Sequence, residues 1–268
     1  TAQTIRVNEY GGYLQLKKKL GDAVTLTASG RYDKQTNFDG KFTPRVSAVF
    51  KVARENFLRV SYQTAYRFPT NQNQYISLVT GSGVLMGCLP EFQDYYKLNS
   101  TLPGYTAASV VSYRAGTLAD SSRLVRAQYN EVKPETVRSY EVGYKGILGK
   151  KLMVDGYVYY SEYKDFLVGV AVAQSRAGNK FELYSPFSST NVSYTQNSSD
   201  KVKSIGWGLG LEYNAVKKYV VYANIFSDQL RDVDPSVVTY FNAPKYRFNI
   251  GLKNENVCHN IGFNVVYK

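Results

Sequence analysis

The sequence is poor in the residues that metal sites, disulfide frameworks and acid–base catalysis require. It holds two cysteines and one histidine among 268 residues. Cys88 lies in an expected loop and Cys258 in an expected strand, and their spacing predicts neither a disulfide nor a metal site. His259 shares a strand face with Val257 and Ile261, which favours a packing role over that of a general base. We therefore expect no enzyme activity, no catalytic residues, no metal ligands and no cofactor.

Long hydrophobic runs are also absent. No stretch of 18 apolar residues occurs, which excludes transmembrane helices. A transmembrane β-barrel stays open, because its strands cross the membrane with alternating apolar and polar residues. The chain has 25 Tyr and 13 Phe but one Trp. Abundant tyrosine with a mean hydropathy of −0.33 favours a β-protein, either soluble or with the aromatic girdles of a barrel.

The formal net charge of +12 raises the question of nucleic-acid binding. The basic residues do not form one patch, since the clusters at 17–19, 150–151 and 217–218 each lie beside an expected tight turn. Solvated turn charges account for this pattern, and an anion-binding role is the alternative. We expect no nucleic-acid partner.

The longest regular pattern lies at residues 56–70, NFLRVSYQTAYRFPT, where apolar and polar residues alternate. Alternation with a period of two predicts a β-strand. One face is apolar and ends in tyrosines, and the opposite face carries Arg59, Gln63 and Arg67. A strand of this length suits a membrane barrel, in which roughly 9 to 11 tilted residues cross the hydrocarbon.

Similar alternation predicts about ten strands in five hairpins. They cover residues 9–20, 23–34, 43–52, 56–67, 136–148, 152–167, 201–213, 219–230, 245–253 and 257–267. Tight connections, the last of them at 254–256, alternate with longer ones at 35–42, about 69–135, 168–200 and 231–243. Outer-membrane barrels sort their connections in this way, with short periplasmic turns and long extracellular loops. The sequence thus predicts an all-β fold, a transmembrane antiparallel β-barrel.

Two segments resemble the barrel of TonB-dependent outer-membrane receptors. The first is FTPRVSAVFKVARENFLRVSYQTAYRFPT at 42–70, where Pro-Arg and Leu-Arg introduce alternating strands and Arg-x-Pro-Thr closes the second. The other is VKPETVRSYEVGYKG at 132–146, followed by LMVDGYVYYSEYKDFL at 152–167. It carries the family's Lys-Pro-Glu, Ser-Tyr-Glu-x-Gly and Tyr-Lys-Asp patterns. The resemblance covers 43–167 well and the remainder only through the rhythm of its hairpins.

The resemblance implies a barrel of about 22 strands with a plugged lumen. Residues 1–268 are then expected to be a partial barrel without its plug domain, so that the protein continues on both sides. The implied function is an outer-membrane active transporter or receptor that imports a scarce ligand with energy coupled from the inner membrane. The implied partners are outer-membrane lipid, the plug domain, the TonB energy-coupling protein, a small-molecule, glycan or peptide ligand and, as a further option, a surface lipoprotein.

Two other functions stay open. A complete ten-stranded outer-membrane hydrolase or protease would fit the strand count, but it would need an acid–base constellation at the extracellular rim. A passive porin or adhesin barrel would account for the strands but not for the paired family motifs.

Candidate ligand contacts lie on the expected polar faces and in the first long loop. The strand residues would project into the lumen and contact substrate, plug or neighbouring strands; they are Arg59, Gln63, Arg67, Arg247 and Asn249. The loop residues offer aromatic surface to a sugar, peptide or chelate, or else order the loop; they are Phe92, Tyr95, Tyr96 and Tyr105.

Overall fold

The computed structural model describes residues 5–98, 100–116, 120–199, 201–215, 218–234, 238–239 and 244–268. These residues form fifteen strands and three α-helices, together with two short 3₁₀ segments. In chain order they are β1 (Glu9–Leu20), β2 (Val24–Gln35), β3 (Phe38–Ala53), β4 (Asn56–Arg67), α1 (Asn71–Tyr75), β5 (Ser77–Thr80), β6 (Gly83–Met86), α2 (Pro90–Tyr95), β7 (Gly104–Thr106), α3 (Ala107–Arg114), β8 (Glu135–Leu148), β9 (Leu152–Lys164), β10 (Leu167–Ser175), β11 (Ser189–Asn197), β12 (Lys203–Asn214), β13 (Val220–Arg231), β14 (Arg247–Cys258) and β15 (Ile261–Tyr267). None of the described helices is long and apolar enough to cross a membrane.

Ten of the strands form one antiparallel sheet, in the order β1-β2-β3-β4-β8-β9-β12-β13-β14-β15. Between β4 and β8 and between β9 and β12, the chain leaves this sheet and forms the remaining strands and helices. Tight turns close the hairpins at the opposite end. Two of these turns contain Gly21 and Gly149, with φ of 61° and 57°, a left-handed conformation that glycine adopts without steric cost. The predicted all-β fold with about ten antiparallel strands is confirmed.

This ten-stranded sheet has one apolar and one polar face, because side chains alternate along each strand. On the apolar face Val60 pairs with Val142, and Val142 pairs with Val158. Beside them the rings of Tyr62 and Tyr140 lie 5.2 Å apart. A shallow concavity of about 650 Å³ on this face is lined mainly by apolar side chains. So large an exposed apolar surface is typical of the lipid-facing wall of a barrel.

The two segments that leave the ten-stranded sheet, residues 68–134 and 165–202, fold against each other, and we call them the loop unit. They form a second sheet in the order β5-β6-β11-β10-β7. The β10–β11 hairpin of the second segment lies between β6 and β7 of the first. Only the β6–β11 pairing is parallel in this sheet. The sequence predicts two long connections here but not the short strands and helices within them.

Small hydrophobic clusters hold the loop unit together. The first buries Met86, Leu98 and Val192. A second lies around Tyr113 and Leu183, both of which are fully buried. Helices α1 and α3 begin after threonines, Thr70 and Thr106, whose hydroxyls accept backbone N–H groups of the first turn. The loop unit therefore has a core of its own.

The predicted loop at 35–42 is wrong. Strands β2 and β3 continue past it until Gln35 pairs with Phe38, which leaves a two-residue turn. Asp39 and Gly40, which suggested a loop, lie within β3. Gly40 occupies the strand because a Cβ there would collide with the ring of Tyr32. One connection at the loop end of the ten-stranded sheet is therefore short.

The predicted turn at 254–256 is also wrong, and with it the placement of His259 on a strand face. Strand β14 runs on to Cys258, and the turn is made by His259 and Asn260, with φ of 35° and 66°. The register shifts between Asn254 and Cys258. Such an irregularity interrupts the alternation of side chains, so the periodicity could not be extended through it.

Candidate functional site

Two of the predicted arginines, Arg59 and Arg247, form ion pairs on the polar face of the ten-stranded sheet. The Arg59 Nη2 atom lies 2.6 Å from Glu141 Oε1, on the adjacent strand β8. The Arg247 Nη2 atom lies 2.6 Å from Asp228 Oδ2, on the adjacent strand β13. The Arg247 guanidinium also lies 4.4 Å from the ring centre of Phe226. Both predicted arginines are therefore held by neighbouring strands.

Tyrosines of β9 fill the space between these ion pairs. The hydroxyl of Tyr159 donates to Asp228 Oδ1 at 2.7 Å, and its ring covers Gly206. The ring of Tyr157 covers Gly208 in the same way. We call this set the polar strip: Arg59, Glu141, Tyr157, Tyr159, Asp228 and Arg247. Glycine at these two positions of β12 leaves space on the polar face, and the two tyrosine rings fill it.

Arg59 and Arg247, at the two ends of the polar strip, lie in one row of register partners that runs across the strands. Arg59 pairs with Gly143, which pairs with Tyr157, and from there the row continues through β12 and β13 to Arg247. Of the other predicted strand residues, Asn249 donates from Nδ2 to Asn224 Oδ1 at 2.8 Å. Gln63 lies opposite Ser139 of β8.

The third predicted arginine, Arg67, lies where the loop unit meets the ten-stranded sheet. Its Nη2 atom is 2.9 Å from Glu135 Oε2. The same oxygen accepts the backbone N–H of Leu167 at 2.9 Å. Nearby, the Asn197 side chain bridges the backbones of Lys133 and Asp165. The sequence does not predict this junction, because it joins segments that are distant in the chain.

The four predicted loop aromatics differ in exposure. Phe92 and Tyr96 pack against the first hydrophobic cluster, and Tyr105 is buried in the second. The Tyr96 hydroxyl also lies 3.0 Å from Ser77 Oγ. Tyr95 is 74% exposed and meets the Tyr96 ring edge-on at 5.0 Å. Tyr95 alone among these four offers a free aromatic surface.

A cleft of about 600 Å³ lies between the loop unit and the rim of the ten-stranded sheet, and we call it the loop cleft. The neighbouring strands β10 and β11 contribute small side chains to it, namely Gly169, Ala171, Ser193 and Thr195. Three polar residues at the start of α1 also line it, Thr70, Gln72 and Asn73, together with the apolar Ile76 and Leu85. Arg67 is the one charged residue among the described lining residues. The loop cleft therefore combines apolar surface with one guanidinium group, which is paired with Glu135.

Buried titratable groups lie within the loop unit. Burial raises the pKa of the Cys88 thiol to about 11. It also raises the pKa of Tyr129 to about 12 and that of Tyr194 in the same direction. The Tyr129 and Tyr194 rings lie 5.1 Å apart. All three groups thus stay protonated at neutral pH and serve as packing residues.

Metal-binding and disulfide chemistry find no support in the described part of the chain. No group of three or more His, Cys, Asp or Glu side chains there is arranged to hold a metal ion. Cys88 is buried and Cys258 is exposed, and both are free thiols.

Comparison with known proteins agrees with the resemblance seen in the motifs. A family model described as TonB dependent receptor-like, beta-barrel matches residues 1–260. The siderophore receptor PirA from Acinetobacter baumannii superimposes with a TM-score of 0.60 at 16% identity, over 97% of this chain and 33% of that one. A mutant of the ferric enterobactin receptor PfeA from Pseudomonas aeruginosa gives a TM-score of 0.61 at 14% identity, over 94% and 31%.

The copper transporter OprC superimposes with a TM-score of 0.56 at 13% identity, over 92% of this chain and 32% of that one. At such identities these structures share the fold with this chain. The chain spans about a third of their length. No curated protein matches the sequence.

Proposed function

Because this chain belongs to the family of TonB-dependent receptor β-barrels, we propose that it forms part of an active transporter that imports a scarce ligand with energy coupled from the inner membrane. Barrels of this family lie in the outer membrane, which is the location of this chain. The proposed partners are a plug domain in the lumen, the TonB protein that couples energy, and membrane lipid around the apolar face. The proposal assigns no bond chemistry to the barrel.

The loop cleft is the observation that carries this proposal. It lies above the rim and between two chain segments that leave the ten-stranded sheet, where a ligand arriving from outside the cell would first be held. A volume of about 600 Å³ is within the usual range for small-molecule sites. Small side chains on β10 and β11 leave room for a ligand, and the half-exposed guanidinium of Arg67, paired with Glu135, lies at the rim.

We propose a metal chelate as the ligand, in preference to a glycan or a peptide. PirA and PfeA are siderophore receptors and OprC is a copper transporter, which makes metal import the first function to test. Arg67 is paired with Glu135 through Nη2, but its side chain is half-exposed, and the remaining donors of its planar guanidinium suit the carboxylates and other oxyanions of an anionic ligand. Below the loop cleft, the polar strip offers hydrogen-bonding groups along the path through the lumen.

The test is uptake by a bacterial strain that lacks the gene and carries the full natural protein on a plasmid. Radiolabelled ferric enterobactin and copper(II) are the first probes, followed by other ferric siderophores. We expect one of them to accumulate only when the protein and TonB are both present. Ala171→Trp fills the loop cleft and should lower uptake at least tenfold at limiting ligand.

The matched control is Val111→Trp, which adds the same ring at an exposed position on α3 outside the loop cleft. Both variants must reach the outer membrane in equal amounts. Uptake that persists without TonB would overturn active transport and favour a passive pore. Equal uptake by the two variants would overturn the assignment of the loop cleft as the ligand site.

A further inference from the structure

The turn end of the ten-stranded sheet carries an excess of positive charge. Residues 17–19 are all lysine, and residues 150–151 are both lysine. Lys51 lies near the end of β3, and Arg54 lies in the turn between β3 and β4. Lys218 adds a further cation in the turn between β12 and β13. Within the described part of the chain, none of these residues forms an ion pair.

Acidic residues at this end are fewer. Asp22 and Glu55 lie in the turns themselves, Glu255 lies near the turn between β14 and β15, and two further carboxylates on the polar face are already paired. They are Asp155, 3.1 Å from Lys145, and Glu212, 3.2 Å from Lys253. At this end, eight described cations without an ion pair, at 17–19, 51, 54, 150, 151 and 218, therefore outnumber three such carboxylates. Three cations at the loop end, Arg67, Arg123 and Lys203, each have a carboxylate partner.

The apolar face reaches almost to these turns. Leu20, Val52, Leu148 and Tyr213 are 45%, 58%, 46% and 45% exposed, and each lies within two residues of a turn. In a membrane barrel, apolar side chains at this position mark the edge of the hydrocarbon layer. The basic turns that follow directly are therefore at the height of the lipid headgroups on the periplasmic side.

Lys18 gives this placement a specific marker. It lies on the apolar face between Leu16 and Leu20, and its register partner on β2 is Leu26. A lysine among lipid-facing leucines is stable when its long side chain carries the ammonium group out to the headgroup layer. Lys18 is two residues from the end of β1, which is within the reach of that side chain.

We propose that the turn end binds the phosphate groups of anionic phospholipids in the periplasmic leaflet, through Lys18, Arg54, Lys150, Lys151 and Lys218. The cations are unpaired, they adjoin the apolar face, and several turns present them side by side around the barrel. Each lysine or arginine near an anionic membrane surface strengthens binding about fivefold at moderate salt. This inference is independent of the transported ligand.

The experiment uses the full natural protein in nanodiscs of phosphatidylcholine that contain one fifth phosphatidylglycerol. Mass spectrometry of the lipids retained after detergent extraction measures how strongly phosphatidylglycerol is enriched around the protein. We expect phosphatidylglycerol to be enriched around the wild-type protein. In the triple variant K18Q/K150Q/K151Q, this enrichment should fall at least fivefold. The conservative variant K18R/K150R/K151R should keep the enrichment, because the charges remain.

The matched control is K97Q/R176Q/K180Q, which removes three exposed charges from the loop unit and should leave the enrichment unchanged. All variants must keep the heat-dependent gel mobility of a folded barrel. Equal enrichment of phosphatidylglycerol around K18Q/K150Q/K151Q and K97Q/R176Q/K180Q would overturn the proposal. So would loss of the enrichment in millimolar inorganic phosphate, since this would indicate a site for soluble anions.

Discussion

The carboxylate of Glu135, the first residue of β8, accepts the backbone N–H of Leu167, the first residue of β10, at 2.9 Å. The same oxygen lies 2.9 Å from Nη2 of Arg67, the last residue of β4. The Glu135 side chain is only 9% exposed. One buried carboxylate thus fastens the start of the β10–β11 hairpin to both strands from which the first loop segment departs.

We expect Glu135→Ala to loosen the loop unit while the ten-stranded sheet stays intact. The substitution leaves the Leu167 N–H buried without a partner, and loss of a hydrogen bond to a charged group costs about 1.5–3 kcal/mol. Hydrogen exchange measured by mass spectrometry should become faster across β10 and β11 but not across β8 and β9. Glu131→Ala, at an exposed position in the same connection, should exchange like the wild type. Unchanged exchange in β10 would contradict the anchoring role of Glu135.

Three glycines of β12 differ in how closely the tyrosine rings of the polar strip cover them, and substituting each in turn tests that packing. A Cβ on Gly206 would lie within 2.6 Å of three atoms at the tip of the Tyr159 ring, and that ring is fixed by its bond to Asp228. A Cβ on Gly208 would lie 2.6 Å from the Tyr157 ring, whereas one on Gly210 would meet only a backbone oxygen at 3.6 Å.

We therefore expect destabilisation in the order Gly206→Ala, Gly208→Ala, Gly210→Ala. Overpacking of this kind costs typically about 1–3 kcal/mol, and the first variant also loses the Tyr159 hydrogen bond. Thermal unfolding in detergent, followed by the shift in gel mobility, measures the order. Gly210→Ala is the internal control, with stability close to that of the wild type. A Gly206→Ala variant as stable as Gly210→Ala would show that the tyrosine rings do not rest on the glycines.

The strands of the ten-stranded sheet were predictable because each carries its own signal. Alternation from Asn56 onward predicts both the strand β4 and the polar face that carries Arg59 and Arg67. The prediction failed where a local feature broke the pattern. Asp39 and Gly40 have the composition of a turn but pair within β3, and the register shift after Asn254 moved the last turn to His259 and Asn260.

The loop unit could not be predicted, because its strands are short and their partners are distant in the chain. The parallel pair Val84 and Val192 joins segments separated by more than a hundred residues. Tyr105 similarly pairs with Ala173. Three- and four-residue strands carry no usable period. The contribution of Tyr157 and Tyr159 to the polar strip could not be predicted either, because it depends on the glycines of β12 that lie opposite them.

Gln174 holds the loop unit together from within, and its loss should be costly. Its buried Nε2 atom donates to the backbone oxygens of Tyr96 and Leu102, both at 2.7 Å. Gln174→Leu keeps a similar volume but leaves both carbonyl groups unpaired, which we expect to cost about 1–3 kcal/mol. Limited proteolysis should then cut within 96–102 while the ten-stranded sheet resists cleavage. Gln128→Leu, at an exposed position, is the control, and equal resistance in both variants would contradict the role of Gln174.

The Cys88 thiol should make the stability of the loop unit depend on alkaline pH. Burial raises its pKa from 9.0 to about 11, so the folded loop unit keeps a proton that the unfolded chain releases above pH 9. Because the folded state then binds more protons, its free energy of unfolding falls as the pH rises from 9 towards 11, by at most about 1.4 kcal/mol per pH unit from this group.

The rate of alkylation of Cys88 measures directly how often the loop unit exposes this buried thiol. At pH 8 iodoacetamide should modify the exposed Cys258 quickly and Cys88 slowly, and peptide mapping distinguishes the two sites. Between pH 9 and pH 10, protease resistance of the loop unit should decrease in the wild type and much less in Cys88→Ala. That pH range lies below the raised pKa of Tyr129 and is low enough to keep the tyrosine contribution small. Rapid modification of Cys88 at pH 8, or the same pH dependence in both proteins, would contradict a buried, protonated thiol.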